Sequence, residues 1–184
     1  ALLWEAGQAA AFAPDPLHQA WVHRLNSPAS SSVGRLFDAA AALCGICTHA
    51  SFEGEGPMRL EAEASSASGH VTELPLQRDA AGVWRTDWAP LLPMLGDHAV
   101  PVAARASSFH LSLAQVLAEQ AKQLGAQSGI QSVGLTGGVF QNRVLAEAAF
   151  ERLEAAGFKV HLPQRVPVND AGLSFGQIIE FLHA

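Results

Sequence analysis

The sequence predicts an α/β fold with a helix-rich first half, and three stretches carry that prediction. From Val102 to Gly125 runs the longest helical pattern, with Ala106, Phe109, Leu113, Val116, Leu117, Ala121 and Leu124 on one apolar stripe. Ser132 to Thr136 has strand character and breaks at Gly137-Gly138, after which Val144, Leu145, Ala148 and Leu153 recur near helical spacing. A second strand, Lys159 to Leu162, follows that helix and leads by way of a proline-bearing loop to a last short helix, Leu173 to Leu182. Helix, strand, helix, strand, helix in the last third is the order of an α/β unit.

The earlier part reads as follows. Residues 1–25 form a helix, a break at Pro14 and Pro16, and a second helix from Leu17 to Arg24. His18 and His23 lie on that helix at a spacing that does not place two metal ligands on one face. Residues 26–33 are polar turn chemistry with several capping candidates for an alanine-rich helix, Gly34 to Cys44, which Gly45 stops. Cys44 and Cys47 are read as residues of that helix end, since one C-x-x-C pair makes neither a closed zinc site nor, outside a thioredoxin-like βαβ context, a redox pair. An acidic, glycine-bearing loop over 48–57 leads into a helix, Met58 to Ser66. Residues 67–100 are the least regular part, with two short strands, Val71 to Leu76 and Val83 to Asp87, around the turn R-D-A-A-G. Trp84 and Trp88 anchor that section, and Pro90, Pro93 and Pro101 punctuate it.

The 184 residues suffice for one domain with a real core. The expected organisation is a single unit over 1–184, with 1–100 mainly helical around a small hairpin and 101–184 as the α/β, nucleotide-binding part. Charged residues make up only 15% and hydrophobic ones 49%, against a usual charged share of about 25%, so disorder is excluded and some apolar surface is expected to lie against another domain or subunit. A net charge of −6 offers no basic stripe for nucleic acid. No apolar run approaches the roughly 20 residues of a membrane span, and no signal peptide follows Ala1-Leu2-Leu3, so a cytoplasmic location is expected. The chain lacks an initiator methionine, as a piece of something longer would.

Four places offer chemistry. Gly137 and Gly138, between a strand and a helix start, let the backbone approach a ligand closely, and the helix beyond is expected to present free N–H groups to a phosphate or carboxylate. Asn142 adds an amide able to donate and accept. Asp38 is a carboxylate in an apolar helix, either paired with Arg35 or at a solvated edge, or else accepting hydrogen bonds from ligand hydroxyls. Asn169-Asp170 precedes a helix start, as a cap or as a metal ligand or ligand clamp. His110, beside the long stripe, reads as a packed or half-exposed histidine.

Four motifs then stand in register: S-P-A-S-S-S-V-G-R-L-F-D-A-A-A-A-L-C-G-I, S-F-E-G-E-G-P-M-R-L-E, L-T-G-G-V-F-Q-N-R-V-L and V-N-D-A-G-L-S-F-G-Q. Together they resemble the C-terminal portion of the HypF family, the carbamoyltransferases of nickel–iron hydrogenase maturation, over nearly the whole chain. The resemblance implies one subdomain of the actin/sugar-kinase/Hsp70 ATPase (ribonuclease H-like) fold, the second of two around a nucleotide cleft. It implies use of carbamoyl phosphate and ATP, passage through carbamoyl-adenylate, and transfer of the carbamoyl group to the C-terminal cysteine of a partner, HypE, on the way to the cyanide ligands of the iron. It assigns Gly137, Gly138 and Asn142 to adenosine and phosphate contacts, Asp38 to the ribose hydroxyls, and Gly54 or Gly56 to the neighbouring loop, the spacing leaving that pair open. It makes Asp170 a ligand of a divalent metal such as zinc, iron or magnesium, completed by histidines of the first subdomain, since no H-x-x-x-H occurs here. The chain alone is then expected to lack turnover, to bind nucleotide weakly, and to expose an apolar, glycine-lined face where the missing first subdomain docks. Two other functions stay open: a relative of the tRNA threonylcarbamoyl transferases, and a truncated, non-catalytic factor acting as a binding module.

Overall fold

The computed structural model describes residues 1–7 and 16–183. Along them run α1 (Leu2–Glu5), α2 (Pro16–Val22), α3 (Val33–Leu43), α4 (Glu55–Ala64), β1 (Leu76–Arg78), β2 (Trp84–Thr86), α5 (Leu91–Gly96), α6 (Val102–Ser128), β3 (Ser132–Gly134), α7 (Arg143–Ala155), β4 (Lys159–His161) and α8 (Leu173–His183). The break expected at Pro14 lies outside the described residues. Strands β1 and β2 pair antiparallel, with Gln77 opposite Arg85; β3 and β4 pair parallel across α7, with Val133 opposite Val160. The second pair, with α7 as its crossover, is the α/β unit that the last third of the sequence predicts.

Helix α6 is the axle. It packs against α7, α4, α5 and α3. The predicted stripe holds at Ala106, Phe109 and Leu113, but the buried line then turns to Ala114 and Ala118, while Leu124 is exposed. From Arg105 to His110 every residue is buried, because elements close on the helix from all sides there. A stripe model cannot foresee all-round burial. Arg105 is paired there: it donates to the carbonyls of Val100 and Leu95, closing the end of α5. The helix also runs past Gly125, its expected end, to Gly129 in the left-handed region. Gly125 is there for packing, since a Cβ would lie 3.0 Å from the Phe158 ring.

Three further boundaries move for physical reasons. The segment read as a strand from Val71 forms none before Leu76 among the described residues; its start lies along α6, the His70 and Thr72 amides donating to the hydroxyls of Ser108 and Ser112 at 2.9 and 2.8 Å, and its end meets the hairpin only where Pro75 O accepts from the Asp87 N–H at 2.8 Å. β1 begins only at Leu76. Helix α5 was not expected at all: Pro90 precedes it and Pro93 sits in its first turn, where proline loses no helical hydrogen bond. By the same tolerance α4 starts at Glu55, with Pro57 in its first turn, ahead of the predicted Met58.

The core comprises Phe37, Leu60, Leu91, Leu95, Phe109 and Leu153, all fully buried, each contributing about 1.5–3 kcal/mol. Small residues between them, Ala40, Ala41, Ala106, Ala114 and Ala149, let the helices approach closely. Gly69 is the tightest case: a Cβ there would stand 2.3 Å from the backbone nitrogen of Ser108. Gly69→Ala is therefore expected to lower the unfolding free energy by about 2–3 kcal/mol in urea titration. Gly96→Ala, with nothing within 4 Å, is expected to leave it unchanged or slightly raised. Equal losses at both positions would show that close approach is not what Gly69 provides.

Candidate functional site

Asp38 stands one residue after the buried Phe37 on α3, which leaves its carboxylate at the edge of the core. Arg35, one turn earlier, pairs with it at 3.0 Å. Both side chains are partly open to solvent, so the pair is worth little and ligand hydroxyls compete for the carboxylate at small cost. An open cavity of about 490 Å³ lies beside it, lined among others by Arg35, Asp38, Cys47, Phe52, Gly54 and Gly56. The two loop glycines, equivalent in the sequence, differ here. Gly54 takes φ +87° at the start of α4. A Cβ on Gly56 would lie 3.2 Å from Ala41 Cβ and 3.7 Å from Asp38 Oδ1, so its missing side chain is what lets α4 sit against the Asp38 turn of α3.

The cavity's loop is tied down by Glu55. Its carboxylate accepts from the Ser51 backbone N–H at 2.6 Å and from Arg59 Nη2 at 2.7 Å. The Ser51 N–H, helped by the Arg59 guanidinium, holds the Glu55 carboxyl below the usual carboxylate range.

Gly137 takes φ +110°, and its N–H donates to Val168 O at 2.7 Å, which fastens the glycine pair to the loop before Asn169-Asp170. The α-helix does not open at the glycines, as the sequence suggested. A 3-10 turn, Gly138–Gln141, intervenes, and α3 packs against it. The expectation of free N–H groups on the helix beyond holds only at Val144. At the start of α7 the Arg143 N–H donates to Glu61 Oε1 at 2.6 Å and the Leu145 N–H to Asn142 Oδ1 at 2.9 Å. What else stays free is nearer the glycines: the N–H groups of Gly138 and Val139 donate to no acceptor among the described residues.

Asn142 is the cap of α7 and is buried. Its Nδ2 lies 2.9 Å from Nε2 of His110, whose Nδ1 lies 2.7 Å from the Ala106 carbonyl. His110 is fully buried, edge-on to the rings of Phe37 and Phe109. Burial pushes its pKa down, outweighing the Ala106 carbonyl and the Glu61 charge, both of which favour the protonated form.

Asp170 is exposed and begins a 3-10 turn, Asp170–Gly172, which Asn169 caps through the Ala171 N–H at 3.2 Å. The cap role thus belongs to Asn169. Among the described residues no three histidines, cysteines or carboxylates form a group able to hold a metal. One carboxylate does not hold a catalytic ion, so a metal at Asp170 needs ligands from beyond the described residues.

The structure therefore brings Asp38, Gly54 and Gly56 to one cavity, and sets Gly137 and Gly138 against the loop that carries Asp170. The packing of α3 on the 138–141 turn joins the two groups. Asn142 sits beneath that joint. Sequence reasoning missed Glu61, which reaches α7 from 82 residues away with no local signal, and the partnership of His110 with Asn142. A histidine in a run of alanines, serines and phenylalanines was the one visible hint of the latter.

A family model described as "Carbamoyltransferase, Kae1-like Domain, second subdomain" matches residues 4–177. Carbamoyltransferase HypF of Rhodobacter capsulatus is 42% identical over 156 residues, which are 84% of this chain and 20% of that protein. The probable carbamoyltransferase HypF of Methanocaldococcus jannaschii is 31% identical over 160 residues, covering 86% of this chain and 21% of its own. The crystal structure of full-length HypF in its phosphate- and nucleotide-bound form superposes with a TM-score of 0.83 at 26% identity, over 100% of this chain and 25% of that one. That of T. kodakarensis HypF gives 0.72 at 29% identity, over 82% and 20%. The chain thus spans about a fifth of the length of these curated relatives.

Glu55 makes the cavity loop sensitive to acid. Its folded pKa lies below its unfolded value of about 4.3, so its stabilisation is fully present above that value and is lost as pH falls through the lower folded one. Glu55→Gln is expected to weaken the fold at neutral pH and to flatten the acid limb of a stability–pH profile taken by thermal melts. An unchanged acid limb would remove Glu55 from the loop's support.

Proposed function

The chain belongs to the family of Kae1-like second subdomains of HypF carbamoyltransferases, and on that premise we propose that it is the nucleotide-side part of an enzyme that moves a carbamoyl group from carbamoyl-adenylate to a thiol. Its fold is the helix-rich α/β subdomain of that ATPase-like class. The observation that carries the reading is the cavity in which Asp38 faces the glycine-bearing start of α4, joined through α3 to the Gly137-Gly138 turn.

The chemistry asks little acid–base work of the protein. A thiolate adds to the carbamoyl carbon, a C–S bond forms, the C–O bond to the phosphate breaks, and AMP leaves with the electron pair. The protein must hold the mixed anhydride still and match its charge. Asp38 accepts from the ribose hydroxyls in exchange for its weak pair with Arg35. The N–H groups of Gly138 and Val139 face the phosphate, and Asn142 holds their turn in place. The donor is made from carbamoyl phosphate and ATP, the acceptor is the C-terminal cysteine of HypE, and the product feeds cyanide ligand synthesis for the hydrogenase iron in the cytoplasm. The first subdomain, outside this chain, closes the cleft and supplies the histidines that would hold a divalent metal with Asp170. Such a metal polarises an oxygen of the anhydride when bound.

The test joins this chain to the remainder of the R. capsulatus relative, supplies carbamoyl phosphate, ATP and HypE, and weighs the HypE C-terminal peptide by mass spectrometry. Carbamoylation is expected from the joined protein and none from the 184-residue chain alone. Asp38→Ala is expected to cut the rate by about tenfold to a hundredfold, the worth of a hydrogen bond to a charged group. A rate untouched by Asp38→Ala and Gly138→Ala would leave a binding module. Transfer to tRNA in place of HypE would place the chain with the threonylcarbamoyl branch.

A further inference from the structure

Four polar groups meet inside the core where α6 crosses the start of α7. The Ala106 carbonyl on α6 faces His110 Nδ1, His110 Nε2 faces Asn142 Nδ2, and Asn142 Oδ1 faces the Leu145 N–H. A carbonyl only accepts, so Nδ1 must carry the imidazole proton. Nε2 is then an acceptor, and the Asn142 amide points its nitrogen to it and its oxygen to Leu145. A proton on Nε2 would set donor against donor. Flipping the Asn142 amide to relieve that would set its nitrogen against the Leu145 N–H. One arrangement alone satisfies every group, and it requires a neutral ring. The ring also stands edge-on to Phe37, 5.2 Å between centroids, and Phe37 immediately precedes Asp38.

We infer that His110 is a positioning residue: neutral and protonated on Nδ1, it fixes the orientation of Asn142, and through Asn142 and Phe37 it sets the Gly137–Gln141 turn in register with the helix that carries Asp38. The relevance of that register to ligand binding rests on the nucleotide reading given above. Many charged groups stand on the surrounding helices α3, α4, α6 and α7, and Glu61 on α4 is the one whose charge acts on the ring. Of these, Glu61 favours the protonated ring, yet the hydrogen-bond geometry excludes it.

Nitrogen-15 correlation spectra of the imidazoles test the inference on the 184-residue chain. In the native protein, His110 Nε2 is expected to stay unprotonated in the acidic range where an ordinary histidine is already charged, since burial lowers its pKa and Nε2 accepts from Asn142. Asn142→Asp keeps the Leu145 cap but turns an acceptor toward Nε2, so His110 is expected to become an imidazolium at neutral pH. His110→Phe keeps the ring packing and removes both hydrogen bonds. It is expected to shift the amide resonances of Gly138, Val139 and Leu145 and to weaken AMP binding, read by calorimetry, on the order of tenfold. An unaltered His110 spectrum in Asn142→Asp overturns the inference, as do unmoved turn amides in His110→Phe. Should His110→Phe fail to fold, Asn142→Asp decides alone. Should the native chain and its joined form both ignore AMP, the nucleotide reading fails, while the spectra still settle whether His110 positions the turn.

Discussion

One buried imidazole holds the arrangement together. Burying a histidine is costly unless the ring is neutral and both nitrogens are paired, and an orphaned polar group of this kind costs about 1–3 kcal/mol. His110 meets both conditions only when α7 begins where Asn142 can reach it, and Phe37 of α3 packs edge-on against the ring so held. The crossing of α6 and α7 is thereby fixed by directional bonds rather than by apolar contact, which would tolerate small slides. The glycine turn lies directly before Asn142, so its position is inherited from that crossing.

Close approach of backbones does the remaining placement. Gly56 lets α4 settle beside Ala41 and Asp38, and Gly69 lets an extended segment lie on α6 at Ser107 and Ser108. That segment has no strand beside it, so serine hydroxyls on the helix accept its N–H groups. Ser112 completes the chain by donating to Ser108 O at 2.6 Å. Buried serines in α6 are therefore part of the hydrogen-bonding of a neighbouring loop, and the low share of charged residues follows from a core that reaches this far round one helix.

The α/β unit was legible because β3, α7 and β4 each follow a local period, and α3 because Gly45 marks its end with φ +76°. The stripe of α6 was legible only for its outer contacts, since a run buried on all sides has no period to read. The prolines misled over 90–101: read as punctuation of a loop, they are helix starts, a position that costs proline nothing. At the site, Asp38, Gly54 and Gly56 could be named from the sequence, and the structure gathers them. Their separate roles could not, because φ at Gly54 and the 3.2 Å gap at Gly56 are properties of the packed helices. The bond from Glu61 to α7 was beyond reach for the same reason: nothing near residue 61 says which helix end it will meet.

That carboxylate changes where an anion can sit. A helix N-terminus attracts phosphate through unpaired N–H groups and a positive dipole end. On α7 the Arg143, Leu145 and Ala146 N–H groups are already engaged, the first by Glu61 with a negative charge of its own, and Val144 alone of the first four has no acceptor among the described residues. An anion brought to the same point would face both a shortage of donors and a like charge. Two adjacent unpaired N–H groups lie one turn earlier, at Gly138 and Val139, where the missing side chain of Gly138 leaves space above the backbone. Two adjacent donors suit the oxygens of a single phosphate group better than a longer chain of them, whose added charge two N–H groups would leave unmatched. On the proposed reading the geometry thus favours an adenylate over a triphosphate, and it does so through the capping of one helix rather than through any contact with the base.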